Sequence, residues 1–204
     1  MIDYSYLDNL IREVNEFRSK MIFCKIDITK CGISYMPTKK TSFVGFKQGY
    51  SEQLIKIQNG MRESDKIRST TKDYLKFLRN EDGEIIQIEN YKKGSLCCLF
   101  QVYWRENLRY LLPYSSEGGF YPTYVYVTKY EENRVVEEYM VQGKQIVHEI
   151  YGLNTNGQVE YNCINYVSGG NYPVREIKKG KFSFDPLAYV ENYSDNWLNY
   201  RHRN

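Results

Sequence analysis

The chain has 204 residues, a net charge of +3, 42% hydrophobic and 26% charged residues, and 21 tyrosines. A chain of this length buries roughly 70% of its unfolded surface and needs neither disulfide nor metal to fold, and its balance is that of a globular protein, without a stretch long enough to span a bilayer. The small charge excess is far from what would by itself suggest nucleic-acid binding.

Cationic runs at Lys39-Lys40, Lys92-Lys93, Lys178-Lys179-Gly180-Lys181 and Arg201-His202-Arg203 are interleaved with acidic residues, so they read as solvated turns and nucleic acid is not the expected partner. The five cysteines are odd in number, Cys97 and Cys98 are adjacent, and no CxxC occurs. That usage fits reduced thiols in the cytoplasm. With two histidines and no ligand spacing, no metal or cofactor is expected. The N-terminus carries acid where a signal peptide needs base, so no targeting segment and no membrane association are expected.

In chain order, Tyr4–Met21 is the clearest helix, with Leu7, Leu10, Ile11, Val14, Phe17 and Met21 recurring at three and four. Asp3 or Ser5 can cap it. Ile22–Thr29 alternates as a strand would. Cys31 to Tyr50 reads as loop with a short strand through Ser42–Phe46, and Ser51–Gln58 fits strand or helical turn. Gly45-Phe-Lys-Gln-Gly49 lacks the spacing of a phosphate loop. A second helix is expected over Ser64–Arg79, with Ile67, Thr71, Tyr74, Leu75 and Leu78 as its apolar face.

From Ile85 the pattern turns to strands: Glu84–Asn90, Ser95–Trp104 and Leu108–Tyr114, joined by turns too short for crossover helices. After the loop Ser115–Pro122 comes a meander of Thr123–Tyr130, Val135–Val141, Gln145–Gly152 and Gln158–Val167. Its segments are rich in Val, Ile and Tyr and its breaks carry Gly or Asn. Val174–Ile177 and Lys181–Phe184 suggest a last hairpin around Lys178-Lys179-Gly180. The tail from Asp185 is aromatic enough to fold back as a short helix or turn. The prediction is an α+β fold in a single domain, 1–204. It is a predominantly antiparallel β-sheet, a meander open to curvature or a half-barrel, with two helices in the N-terminal part. Residues 1–80 form a mixed helix and strand part packed on a sheet over 84–184, and 185–204 form an aromatic C-terminal tail.

Turn chemistry suggests registers. Two-residue loops at Glu132-Asn133, Gln142-Gly143 and Asn156-Gly157 would align Thr128, Glu137, His148 and Asn165 in one polar row on one face. Tyr126, Tyr139, Ile146 and Val167 would flank it on one side, and Tyr130, Val135, Ile150 and Cys163 on the other. The row has two readings: a polar ladder that fixes register, or a pocket in which Glu137 orients His148 as a general base with Cys163 as a conceivable nucleophile. No GxSxG, HExxH, Walker or Rossmann pattern occurs. A tyrosine-rich sheet with glycine loops suits protein recognition. The expected function is therefore a non-enzymatic cytoplasmic protein-binding protein, of the bacterial immunity or antitoxin type. Tyr124, Tyr126, Thr128, Glu137, Tyr139, His148 and Asn165 are its candidate binding residues. The alternative is a small hydrolase-like enzyme using Glu137 and His148.

Overall fold

A computed structural model describes residues 4–38, 56, 59–119, 124–153, 158–169, 174–184 and 187–193. Its frame is an eleven-stranded antiparallel sheet whose spatial order is the order of the sequence, with β1 and β11 as its two edges. The strands are β1 Gly32–Pro37, β2 Tyr74–Arg79, β3 Ile85–Lys92, β4 Ser95–Arg105, β5 Leu108–Tyr114, β6 Val125–Glu131, β7 Arg134–Gln142, β8 Gln145–Leu153, β9 Val159–Val167, β10 Val174–Phe184 and β11 Leu187–Tyr193. The helix α1, Tyr4–Lys20, lies across one face, and a 3-10 turn spans Ile28–Lys30. No helix among the described residues is long and apolar enough to cross a membrane.

Local chemistry explains the hairpins. Lys93-Gly94 and Glu132-Asn133 adopt positive φ at both central positions, the twist that lets two strands continue as a tight pair. Pro113 falls in the part of β5 that β6 no longer borders, since their pairing ends at Leu111↔Tyr126. A missing N–H is tolerated at such a place. The helix buries Leu7, Leu10, Ile11 and Val14 against Tyr110, Val127, Tyr139, Ile146 and Ile164. We call this the helix face. The opposite, far face has its own core around Leu75, Phe77, Ile88, Phe100 and Leu111, and a smaller cluster of Val135, Tyr151, Val159 and Tyr161.

Several expectations are corrected. Ser64–Arg79 is no helix: Ser64 bridges to Tyr35, and Tyr74–Arg79 is β2, paired on both sides. The apolar residues of that stretch fit a helical stripe, but two neighbouring strands satisfy its backbone, and tertiary pairing overrides the local pattern. The sheet therefore begins at Gly32 rather than Ile85, inside the expected loop. Ile22–Thr29 is not a strand. Its Phe23 ring packs on Tyr114 and its Cys24 backbone is held from both sides by the Gln101 side-chain amide, while Asp27 caps the 3-10 turn through Thr29. Lys178-Lys179-Gly180 is no turn: β10 runs straight through it with a bulge between Glu176 and Lys178. The start of the expected tail is β11, paired to β10. The expected strand at Ser42–Phe46, the segment Ser51–Gln58 apart from Lys56, and the tail beyond Tyr193 lie outside the described residues.

Candidate functional site

The sheet places Tyr139 of β7 directly across from His148 of β8, and Glu137 one pair along, across from Ile150. All three point to the helix face, and on a pleated pair a diagonal neighbour lies within reach of a long side chain. His148 Nε2 is 2.6 Å from Glu137 Oε2. The Tyr139 hydroxyl donates to the same oxygen at 2.5 Å, and Lys129 of β6 donates to Oε1 at 2.8 Å. The Tyr139 ring stacks on the imidazole at 4.4 Å, and its hydroxyl is 3.3 Å from that of Tyr6 on α1. The helix and three strands thus meet on one carboxylate.

Burial alone would raise the Glu137 pKa, but the hydrogen bonds from His148, Lys129 and Tyr139 outweigh it and hold it down to about 2. Burial and the Glu137 hydrogen bond push the Tyr139 hydroxyl up, and the bond to Glu137 raises Lys129. With Glu137 ionised, the Nε2 side of His148 carries the donated proton, which leaves Nδ1 facing the interior without a hydrogen-bond partner. His148 is only 4% exposed. A general base needs a free lone pair within reach of a substrate proton. Here Nε2 is engaged and Nδ1 is enclosed, and the arrangement ties the helix and three strands together.

The structure brings Glu137, His148 and Tyr139 together and separates the rest of the expected row. The Glu132-Asn133 turn forms as expected and pairs Tyr130 with Val135, but a bulge follows, so Thr128 meets Glu138 and stands on the far face. The β7–β8 turn uses Gly143-Lys144 rather than Gln142-Gly143. In the next hairpin Leu153 pairs with Val159, so His148 faces Ile164, while Asn165 and Cys163 turn to the far face opposite Val147 and Glu149. Asn165 accepts a hydrogen bond from Gln145 there. Cys163 and His148 are thus on opposite faces and form no nucleophile pair. Tyr126 is also on the far face, with its ring 5.9 Å from Phe100, and half-buried Tyr124 is 6.4 Å from it. Lys129, Val125, Val127, Ile164 and Tyr166, which alternate with Thr128, Tyr126, Cys163 and Asn165 along their strands, share the helix face with His148 instead.

Sequence reasoning missed a recurrent device. In Glu89-Asn90-Tyr91, Gln101-Val102-Tyr103, Glu137-Glu138-Tyr139 and Glu149-Ile150-Tyr151, the tyrosine hydroxyl donates to the carboxylate or amide oxygen two residues earlier. Residues two apart share a face of a strand, so each pair satisfies a buried polar head locally. The repeated acid-or-amide, any residue, tyrosine pattern was the available signal. A second polar row was also missed. Arg109, Thr128, Glu138 and Glu149 are successive cross-strand partners, all buried on the far face, with Thr128 Oγ1 donating to Glu138 at 3.2 Å.

Among the described aromatics Tyr4, Tyr6 and Trp104 are exposed; Tyr4 and Tyr6 lie on α1, where they contact Tyr166 and Tyr139, and Trp104 lies on the far face. Trp104, near the end of β4, is 52% exposed and its ring is 5.4 Å from that of Tyr130 in β6. Among the described residues no group of three or more His, Cys, Asp or Glu side chains is placed to hold a metal ion. No protein-family model, curated protein or solved structure matches the chain.

Proposed function

We propose that this chain is a non-enzymatic binding protein of the immunity or antitoxin type, which acts in the cytoplasm by holding a partner protein in a stoichiometric complex. The observation that carries this reading is the closure of the Glu137–His148 pair beneath α1, which leaves its most reactive cluster as internal wiring. Support also comes from the Trp104–Tyr130 pair at the strand ends, since Trp and Tyr dominate the energetic centres of protein interfaces. Five free thiols suit a reducing compartment. The hydrolase-like alternative would need a substrate path to His148 Nδ1, the ring nitrogen that Glu137 does not hold.

The test is recovery of the tagged full chain from its native cell in moderate salt, beside Trp104→Ala. The expected result is one stoichiometric partner with the wild type, lost with Trp104→Ala, while unfolding stability changes by no more than about 0.5 kcal/mol. A bare protein that turns over a substrate, with turnover lost in His148→Ala and its fold kept, would overturn the reading.

A further inference from the structure

β7 and β8 do not stay together over their whole length. Their ladder runs from Gln142↔Gln145 to Glu137↔Ile150 and stops, although β7 begins at Arg134 and β8 continues to Leu153. Past that point each strand keeps only its outer neighbour. Arg134 and Val135 pair with Glu131 and Tyr130 of β6, and Gly152 and Leu153 pair with Glu160 and Val159 of β9. The extra residue Val136 explains the parting, because a bulge bends its strand and sharpens the local twist. Between the parted strands lies a cleft of about 280 Å³, walled by Arg134, Val135 and Val136 on one side and by Tyr151, Gly152 and Leu153 on the other, with Val159 behind and Glu131 and Glu132 at the rim.

Gly152 supplies an independent pointer. Its φ is outside the left-handed region, and a side chain there would meet nothing within 4 Å among the described residues. Neither conformation nor crowding by the described residues requires glycine at this point, and glycine weakens a strand. Close approach by a ligand or another backbone is one of the uses to which a strand glycine is put. Leu153, 57% exposed, and the buried Val135 and Val159 give the cleft an apolar lining. Glu131, Glu132 and Arg134 stand at its mouth, and Glu131 already lies 3.7 Å from Lys129, so Glu132 is the carboxylate open to a partner's cation. The volume falls below the range of about 300–1,000 Å³ typical of small-molecule sites, so it suits a side chain and the backbone that carries it.

We propose that this fork receives a short extended segment of the partner protein by strand addition. An apolar side chain of the segment seats on Val135, Leu153 and Val159, and a neighbouring lysine or arginine faces Glu132. The proposal rests on the binding-protein reading and gives that reading a surface.

The test is a titration of the ¹⁵N-labelled full chain with the acetylated, amidated peptide Lys-Val-Leu-Val-Lys, with Glu-Val-Leu-Val-Glu as control. The expected result is saturable amide shifts at Val135, Gly152 and Leu153 with the basic peptide. Its affinity should be at least about tenfold weaker with the acidic peptide, in Gly152→Phe, which fills the open space, and in Leu153→Ser, a second variant if the first misfolds. No saturable shift at these residues, or equal binding by the folded variants or by the acidic peptide, overturns the proposal. The native complex separates the two readings. A partner retained equally by wild type and Gly152→Phe refutes the fork and leaves the binding-protein reading standing. Absence of any partner refutes that reading, and the peptide titration still decides the fork.

Discussion

The two halves of the β7–β8 hairpin are made of the same strands and have opposite character. Toward the Gly143-Lys144 turn the strands are fully laddered, and Glu137, Tyr139 and His148 are locked beneath α1. Toward the other end they part, and Gly152 and Leu153 are exposed beside an apolar cleft. The difference teaches where chemistry resides in a sheet of this kind. Charged groups that find partners inside are consumed as structure, while the stretch that leaves its ladder is the one available to another chain.

The comparison breaks most severely at Glu137. Glu137→Ala leaves His148 and Lys129 without their shared acceptor, and losing hydrogen bonds to a partly buried charged group costs about 3 kcal/mol. Urea denaturation should show that loss. A smaller, graded version comes from acid. The folded-state pKa of Glu137 lies below its ordinary value of 4.5, so its stabilisation is present above that pH and is lost as pH falls toward about 2. Across that window the wild type should lose on the order of 2–3 kcal/mol that Glu137→Gln, already lacking the charge, does not lose. Comparing the two urea midpoints at pH 5 and pH 3 reads the difference and cancels the other carboxylates. At the open end the effect should be small and of opposite sign. Gly152→Val places a strand-favouring residue in open space and should leave stability unchanged or raise it by up to about 1 kcal/mol. A melting temperature that falls as far as in Glu137→Ala would erase the contrast between the two halves.

The strands β3 to β9 were legible because their turns carry the residues that positive φ demands, as at Lys93-Gly94. The Glu137–His148 contact was anticipated through a wrong register. Moving the turn from Gln142-Gly143 to Gly143-Lys144 shifts the pairing by two, and an even shift keeps every side chain on its face. The other two errors were odd. Val135 and Val136 are both β-branched and equally suited to a strand, so nothing in the sequence marks one of them as the extra residue that sends Thr128 to the far face. Likewise the Leu153↔Val159 pairing slips β9 by one against the expected register, which removes Asn165 and Cys163 from the row. β2 and β11 were missed for another reason: their conformation is set by strands on either side or by a neighbour, information that a local window does not hold.

The strictly sequential order of the sheet has a consequence for the chain as it leaves the ribosome. Each described strand pairs only with its predecessor and successor, so from β2 onward hairpins can zip in the order they are made, with little loop entropy to overcome. The helix α1 is the exception. It precedes every described strand, yet its docking surface includes Gly143, which accepts a hydrogen bond from Asn15, and Tyr166, which donates one to Asp8, across separations of 128 and 158 residues. Part of the surface that covers its apolar stripe, Ile146 and Ile164 included, is therefore made long after the helix itself.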